Sequence, residues 1–249
     1  MQRAVAVLDL FISSPAALSI TSVAEALGLS LGTASRIVGA LRADGYLQLA
    51  PGGAEVHLGP RAVVLGQAAQ RSFGLDKALP VLERVNALCE ESVNLSVRDG
   101  FESVVLLRVQ STLALRFEQQ PGARFPLYTT AAGKAILSQD PTLEEYLAAL
   151  PPRLAPLTSH TLSTPQRLRS ELVRTRSRGY AVDAEENVEG VRCVGAPVVG
   201  PDGRAQAAVV IQAPTVRMRR ERMEGLARLA VEAAADISCV LPVERRLSF

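Results

Sequence analysis

The sequence predicts an α+β chain of two domains: a small helical domain with a β-hairpin, then a larger domain built on an antiparallel sheet. Three observations predict it. Ser19 to Leu58 spells a short helix, a tight glycine turn, a second helix and a hairpin, the order of a winged helix-turn-helix. From Ser92 the apolar period changes from helical to alternating. Strands and helices then follow one another without strict β-α-β alternation, the pattern of an α+β fold.

The elements justify themselves in order. Met1 to Ile12 places Ala4, Val7, Leu8 and Phe11 on one helical stripe, and Ser13-Ser14-Pro15 ends it. Val23, Ala24 and Leu27 share a face of the next helix, with Ser19 or Thr21 as its N-cap. Gly28 stands where a left-handed cap is wanted, and Leu29 can close that turn. The second helix buries Ala34, Ile37, Val38 and Leu41. Its other side carries Gly32, Thr33, Arg36 and Gly39, with Ser35 at the edge. Small and hydrogen-bonding residues plus an arginine suit a helix that enters a major groove. Tyr46 to Leu49 and Glu55 to Leu58 read as strands around Pro51-Gly52-Gly53. The winged domain is therefore set at 1–59, a linker helix at 60–73 beginning with Pro60, and the second domain at 74–249.

In the second domain Leu75 to Glu91 is a packing helix. Val93 to Arg98 and Ser103 to Val109 form a hairpin about Asp99-Gly100, and Leu113 to Glu118 is expected as a third strand. Thr129-Thr130-Ala131-Ala132-Gly133-Lys134-Ala135 opens a helix rich in small residues. Free amides at such a start favour an anion, while close helix-on-sheet packing selects the same side chains; both readings stay open. Thr142 to Leu150 and the arginine-rich Thr164 to Arg178 read as surface helices, the latter with a solvated basic face. A strand at Gly179 to Asp183, a hairpin from Val191 to Ala213 around Pro201-Asp202-Gly203, and an amphipathic helix from Arg219 to Val240 complete the chain.

Composition narrows the function classes. Of 249 residues, 48% are hydrophobic and 21% charged, which excludes a largely disordered chain. Cys89, Cys193 and Cys239 are scattered, which argues against a disulfide framework and for a reducing compartment. With His57 and His160 as the only histidines, no cluster has metal-ligand spacing, and neither a metal nor another cofactor is expected. The N-terminus lacks the pattern of a signal peptide and no apolar run would span a bilayer, so a cytoplasmic protein with no membrane partner is expected. From Met1 to Gly66, Arg3, Arg36, Arg42 and Arg61 balance Asp9, Glu25, Asp44 and Glu55. A neutral domain grips phosphates weakly, so a dimer reading two half-sites is the natural arrangement.

At this point the chain resembles the IclR-type family of bacterial transcriptional regulators over nearly its full length. Ala4 to Leu10, Val23 to Arg36, Leu41 to Tyr46 and Leu58-Gly59-Pro60 resemble its winged helix-turn-helix. Phe125-Pro126-Leu127 with Ala131 to Ala135 resembles its first effector-domain signature, and Gly179 to Glu186 with Gly190 to Val198 its second. The resemblance implies a C-terminal GAF-like domain that binds a small molecule, an organic acid or aromatic metabolite. It also implies dimers, or dimers of dimers, on short palindromic operators in double-stranded DNA. It assigns effector contacts to Thr130, Ala131 and Ala132, to Asp183 and to Cys193. Val210 and Gln212 fall at two further pocket positions where the family often has serine, which removes hydroxyl donors and permits a larger or less polar effector. Leu31, Gly32 and Ser35 replace a basic residue, a serine and a histidine common in the family's DNA helix.

The leading expectation is a metabolite-controlled transcription factor and not an enzyme, with no catalytic residue assigned. Ser30, Gly32, Thr33, Ser35 and Arg36 are expected at the bases or groove, and Arg42 and Arg61 at phosphates. One rival is a ligand sensor of the same fold that works through protein contacts. Another is an enzyme with Cys193 as nucleophile, for which no histidine lies nearby in sequence and Arg192 would point to the opposite face of its strand.

Overall fold

The computed structural model of the chain describes residues 2–13 and 17–241. It divides into two compact units, 1–72 and 73–249.

The first unit is organised by apolar periodicity. Helix α1 (Gln2–Ser13), strand β1 (Leu18–Ser19), α2 (Ile20–Ala26), α3 (Leu31–Ala43), β2 (Leu47–Leu49), β3 (Glu55–Leu58) and α4 (Pro60–Ser72) follow in order. Val7, Phe11, Val23, Ala24, Ala34, Val38, Leu47 and Val56 form one buried core. Of the signal Ser13-Ser14-Pro15 expected to end α1, residues 14 and 15 lie outside the described residues. Ser19 is the N-cap of α2 and accepts the Ser22 amide at 3.0 Å, which decides between the two candidates. At the other end Gly28 has φ 61°, and the Leu29 amide reaches back to the Ala24 carbonyl at 2.8 Å. This is a left-handed cap that suits glycine and re-aims the chain into α3. β1 pairs with β3, an addition to the expected hairpin, giving an antiparallel sheet of order β1-β3-β2. α4 buries no residue and exposes Val63, Val64 and Leu65.

The second unit is built on a six-stranded antiparallel sheet. α5 (Leu75–Cys89) precedes β4 (Ser92–Asp99), β5 (Glu102–Val109) and β6 (Arg124–Pro126). Then come α6 (Ala131–Leu137), α7 (Leu143–Ala149), α8 (Pro165–Arg178), β7 (Ala181–Ala184), β8 (Val191–Val199), β9 (Ala205–Pro214) and α9 (Arg220–Ser238). The sheet order is β6-β5-β4-β9-β8-β7. Alternation along each strand separates two faces. Val93, Leu95, Val194, Ala196, Val209 and Ile211 pack with residues of α5 and α9. Cys193, Ala208 and Val210 turn the other way, against Ala131, Ala132 and Ala135 of α6.

One expected strand is absent. Leu113 to Glu118 is irregular, and the third strand of this meander is the short β6. Guanidinium groups take the carbonyls there in place of a ladder. Arg116 donates to Leu113, Arg217 to Leu115 and Arg108 to Phe117. The apolar alternation of Leu113 and Leu115 therefore reports no pairing, and Leu115 is exposed.

Candidate effector site and DNA interface

The cavity of the second unit lies between the sheet and α6. Strand register builds it as two rows. Asp183 on β7 pairs with Cys193 on β8, Cys193 with Gln212 on β9, and Gln212 with Ser92 on β4. In the next row Ala181, Gly195, Val210 and Asn94 follow across the same strands. Gly195 is the seat of the helix: a Cβ there would stand 2.9 Å from the Ala131 carbonyl oxygen. Gly133 is tighter still, with a Cβ falling 2.1 Å from the Leu127 carbonyl oxygen. Close packing thus accounts for the small residues of this helix. Thr130 caps it, accepting the Gly133 amide at 2.9 Å, and its hydroxyl lies 3.2 Å from that of Ser103.

Thr130, Ala131, Ala132, Asp183, Cys193, Val210 and Gln212 all line this one cavity. The free space is small, about 30 Å³, roughly one or two waters. Amides line the cavity. Asn94 Nδ2 donates to Gln212 Oε1 at 2.8 Å and to Gln119 Oε1 at 3.0 Å. Asn94 Oδ1 and Gln212 Nε2 are buried without a partner.

Burial dominates the electrostatics at the Asp183 end. Asp183 Oδ1 accepts the amides of Glu186 at 2.7 Å and Asn187 at 3.4 Å. Loss of solvent still pushes its carboxyl up to about 7, against the pull of the Lys134 ammonium. Lys134 is fully buried and donates to Glu186 and to the Val182 carbonyl. Desolvation likewise raises Glu186, whose second oxygen has no partner. The Cys193 thiol is driven well above its usual range, first by burial and then by the neighbouring Asp183. It is therefore a protonated, packed thiol and a poor nucleophile. Arg192 turns to the opposite face, where it pairs with Glu185 and approaches the Met218 carbonyl.

The first unit presents α3 and the hairpin to solvent. Ser30 is the N-cap of α3: its Oγ accepts the Thr33 amide at 3.3 Å and lies 2.9 Å from the Thr33 hydroxyl. Gly32, Ser35, Arg36 and Arg42 are exposed, and Arg36 Nε donates to the Gly32 carbonyl at 3.3 Å. Arg61, at the start of α4, lies over the Tyr46 ring at 5.5 Å. Gly39 and Arg42 border an open groove whose far wall is Leu47, Gln48 and Leu49 of β2.

Comparison with known proteins decides the family. A family model described as the IclR helix-turn-helix domain matches residues 1–51, and one described as bacterial transcriptional regulator IclR C-terminal matches residues 70–239. The chain belongs to the IclR family. The regulator BhcR of Paracoccus denitrificans is 32% identical over 239 residues, 96% of this chain and 85% of that protein. The IclR crystal structure from Thermotoga maritima is 31% identical, with a TM-score of 0.79 and 96% of each chain covered. An IclR homologue from Microbacterium hydrocarbonoxydans, crystallised with 4-hydroxybenzoate, shares the fold at 24% identity, with a TM-score of 0.82 over 96% of this chain and 97% of that one.

As an IclR-family transcriptional regulator the chain carries an N-terminal helix-turn-helix DNA-binding domain and a C-terminal effector domain. The family resemblance pointed to the α6, β7, β8 and β9 sides of the cavity and missed the rest. Asn94, Ser96, Ser103 and Val105 come from β4 and β5, Gln119 and Phe125 from the segment that follows, and Asn187 from the loop after β7. A signal for the first two is present. In Val93-Asn94-Leu95-Ser96-Val97 the alternate residues are polar, yet both faces of this central strand are covered. Polar side chains on a covered face mark a cavity wall. In the first unit the groove wall at Gln48 was not foreseen, because its wing strand is too short to show its outward side by alternation.

Proposed function

We propose that this regulator binds a palindromic operator as a homodimer, or a dimer of dimers, and that a small metabolite in the α6 cavity sets its affinity for that DNA. The observation that carries the reading is the meeting of Thr130, Ala131, Ala132, Asp183, Cys193, Val210 and Gln212 around one buried space. A first unit with an exposed recognition helix accompanies it. Control requires the effector to bind the DNA-competent and incompetent states unequally. With about 30 Å³ free, against roughly 300–1,000 Å³ in ordinary ligand pockets, binding must open the cavity, and that opening is the change the DNA-binding state can sense.

The resemblance implies an organic acid or aromatic metabolite. Phe125, Val105 and Val210 offer apolar contact, and the polar positions are mostly amides and hydroxyls. The exposed Val63, Val64 and Leu65 of α4 support self-association. We place the protein in the cytoplasm and read it as a regulator, not an enzyme; the raised Cys193 thiol speaks against the nucleophile reading. The test is binding to DNA from the upstream intergenic region with salt varied, then metabolites screened by their effect on the shift. A specific, salt-dependent complex released or tightened by one compound is expected. No complex at low salt would favour a sensor that acts through protein contacts.

A further inference from the structure

We propose that Asn94 and Gln212, with Gln119 as a displaceable third member, form an amide clamp that selects an uncharged effector presenting a hydrogen-bond donor and acceptor side by side, as a carboxamide or ureide does, over the corresponding carboxylate. The proposal rests on the effector-site reading above. Asn94 and Gln212 are each only 2% exposed, on neighbouring strands, and both face the cavity. Their mutual bond and the bond to Gln119 leave one acceptor, Asn94 Oδ1, and one donor, Gln212 Nε2, unmet. Turning all three amides over exchanges the atoms but not the count, because each amide carries both functions. Buried polar atoms without partners are uncommon and costly, and two complementary ones in one cavity wall point to a ligand that meets both. A carboxamide does so, giving its N–H to the acceptor and its carbonyl to the donor. A carboxylate has only acceptors to offer.

Charge argues the same way. The titratable side chains lining the cavity are Asp183 and Cys193, so an ionised ligand meets a second acid. Lys134 lies behind Asp183, engaged by Glu186 and the Val182 carbonyl. Arg108, cross-strand from Asn94, donates through one nitrogen, Nη2, to Ser92 Oγ and the Phe117 carbonyl; its Nε and Nη1 are buried without partners, but it is outside the cavity wall. Gln119 is the member that can withdraw. It lies on the irregular stretch between β5 and β6, half-buried, and holds Asn94 through a single bond. Its withdrawal makes room for the ligand amide.

The test uses the full chain and matched probes, benzamide against benzoate and lactamide against lactate, titrated by calorimetry and thermal stabilisation near pH 8. Each amide is expected to bind at least about tenfold more tightly than its acid. Gln212→Met, close in shape, should remove most of that preference, whereas Gln119→Ala, which only makes that room, should keep it. Val210→Phe should fill the cavity and abolish amide binding. Acids that bind as well as amides would overturn the clamp; if Val210→Phe also removed them, the cavity would remain the effector site with Arg108 as anchor. Preference retained in Gln212→Met, or lost in Gln119→Ala, would overturn it too. So would absence of amide binding up to tens of millimolar, and the effector reading would then rest on the DNA-shift assay alone.

Discussion

Asp183 shows how one residue can report on its surroundings. Lys134, Glu186 and Cys193 face it, with Glu171 of α8 beyond Lys134, and loss of solvent outweighs the attraction of Lys134. Its carboxyl gives up its proton near 3.8 in the unfolded chain and near about 7 in the folded one. Between those values the native state holds the extra proton, so the contribution to stability is complete below the lower value and is lost as pH rises through the upper. Asp183→Asn keeps an oxygen for the two backbone amides. Relative to this variant, the wild-type melting temperature should fall as pH rises from about 4 to 7, with a span on the order of a few kcal/mol, and stay level above. Parallel curves would mean that Asp183 titrates as an ordinary carboxyl. Cys193 gives a second check. Cys239 is exposed, whereas Cys89 and Cys193 are buried with raised thiols. A thiol reagent near neutral pH should modify Cys239 quickly and the other two only as fast as the protein opens. Selective, rapid labelling of Cys193 would restore the nucleophile reading.

At the scale of elements, two helical glycines make opposite predictions. A Cβ on Gly133 would meet the Leu127 backbone, which cannot swing aside, whereas one on Gly39 in α3 meets nothing within 4 Å. Gly133→Ala should cost about 1–3 kcal/mol or more because α6 must lift from its seat. Gly39→Ala should stabilise the chain by about 0.5–1 kcal/mol, since an exposed helix interior favours alanine. Denaturant unfolding of the two variants reads both signs. The same contrast explains what was legible in the sequence. Helix and strand periods, caps and glycine turns are local, and they gave α1 through α9 and most strands within a residue or two. Leu113 to Glu118 misled because alternation is necessary for a half-buried strand but not sufficient: distant arginines, Arg108 and Arg217, claim its carbonyls. Gln119 was invisible, and the alternation at Asn94 unread, for a related reason. Each becomes a cavity residue only by meeting β9 or the other, far away in sequence. Gln212 was located only through the family resemblance, and its amide partner could not be read from that.

For the whole molecule, charge sets how the DNA-binding unit must work. Residues Met1 to Gly66 carry four arginines against four acids, so the domain has no net field to draw DNA towards it. Affinity must then come from a few well-placed side chains, doubled, under the dimer proposed above, by a second copy on the palindrome. Arg42 and Arg61 are exposed and suited to phosphates, while Arg36 projects from the recognition helix. Two copies with two such arginines each imply that log affinity falls with log salt at a slope of roughly −3 to −4, shallow for a specific complex. Arg61→Ala should reduce that slope by nearly 2 in a dimer and weaken all operator variants alike. Arg36→Ala should instead cost about 1–3 kcal/mol for each base edge it no longer grips, and it should flatten the preference among variants. Salt titrations of wild type and the two variants on matched operators separate these roles. A wild-type slope much steeper than −4 would mean that cations outside the neutral domain reach the DNA. The exposed arginines of α8, some paired with Glu144 and Glu171, would then be the next to remove.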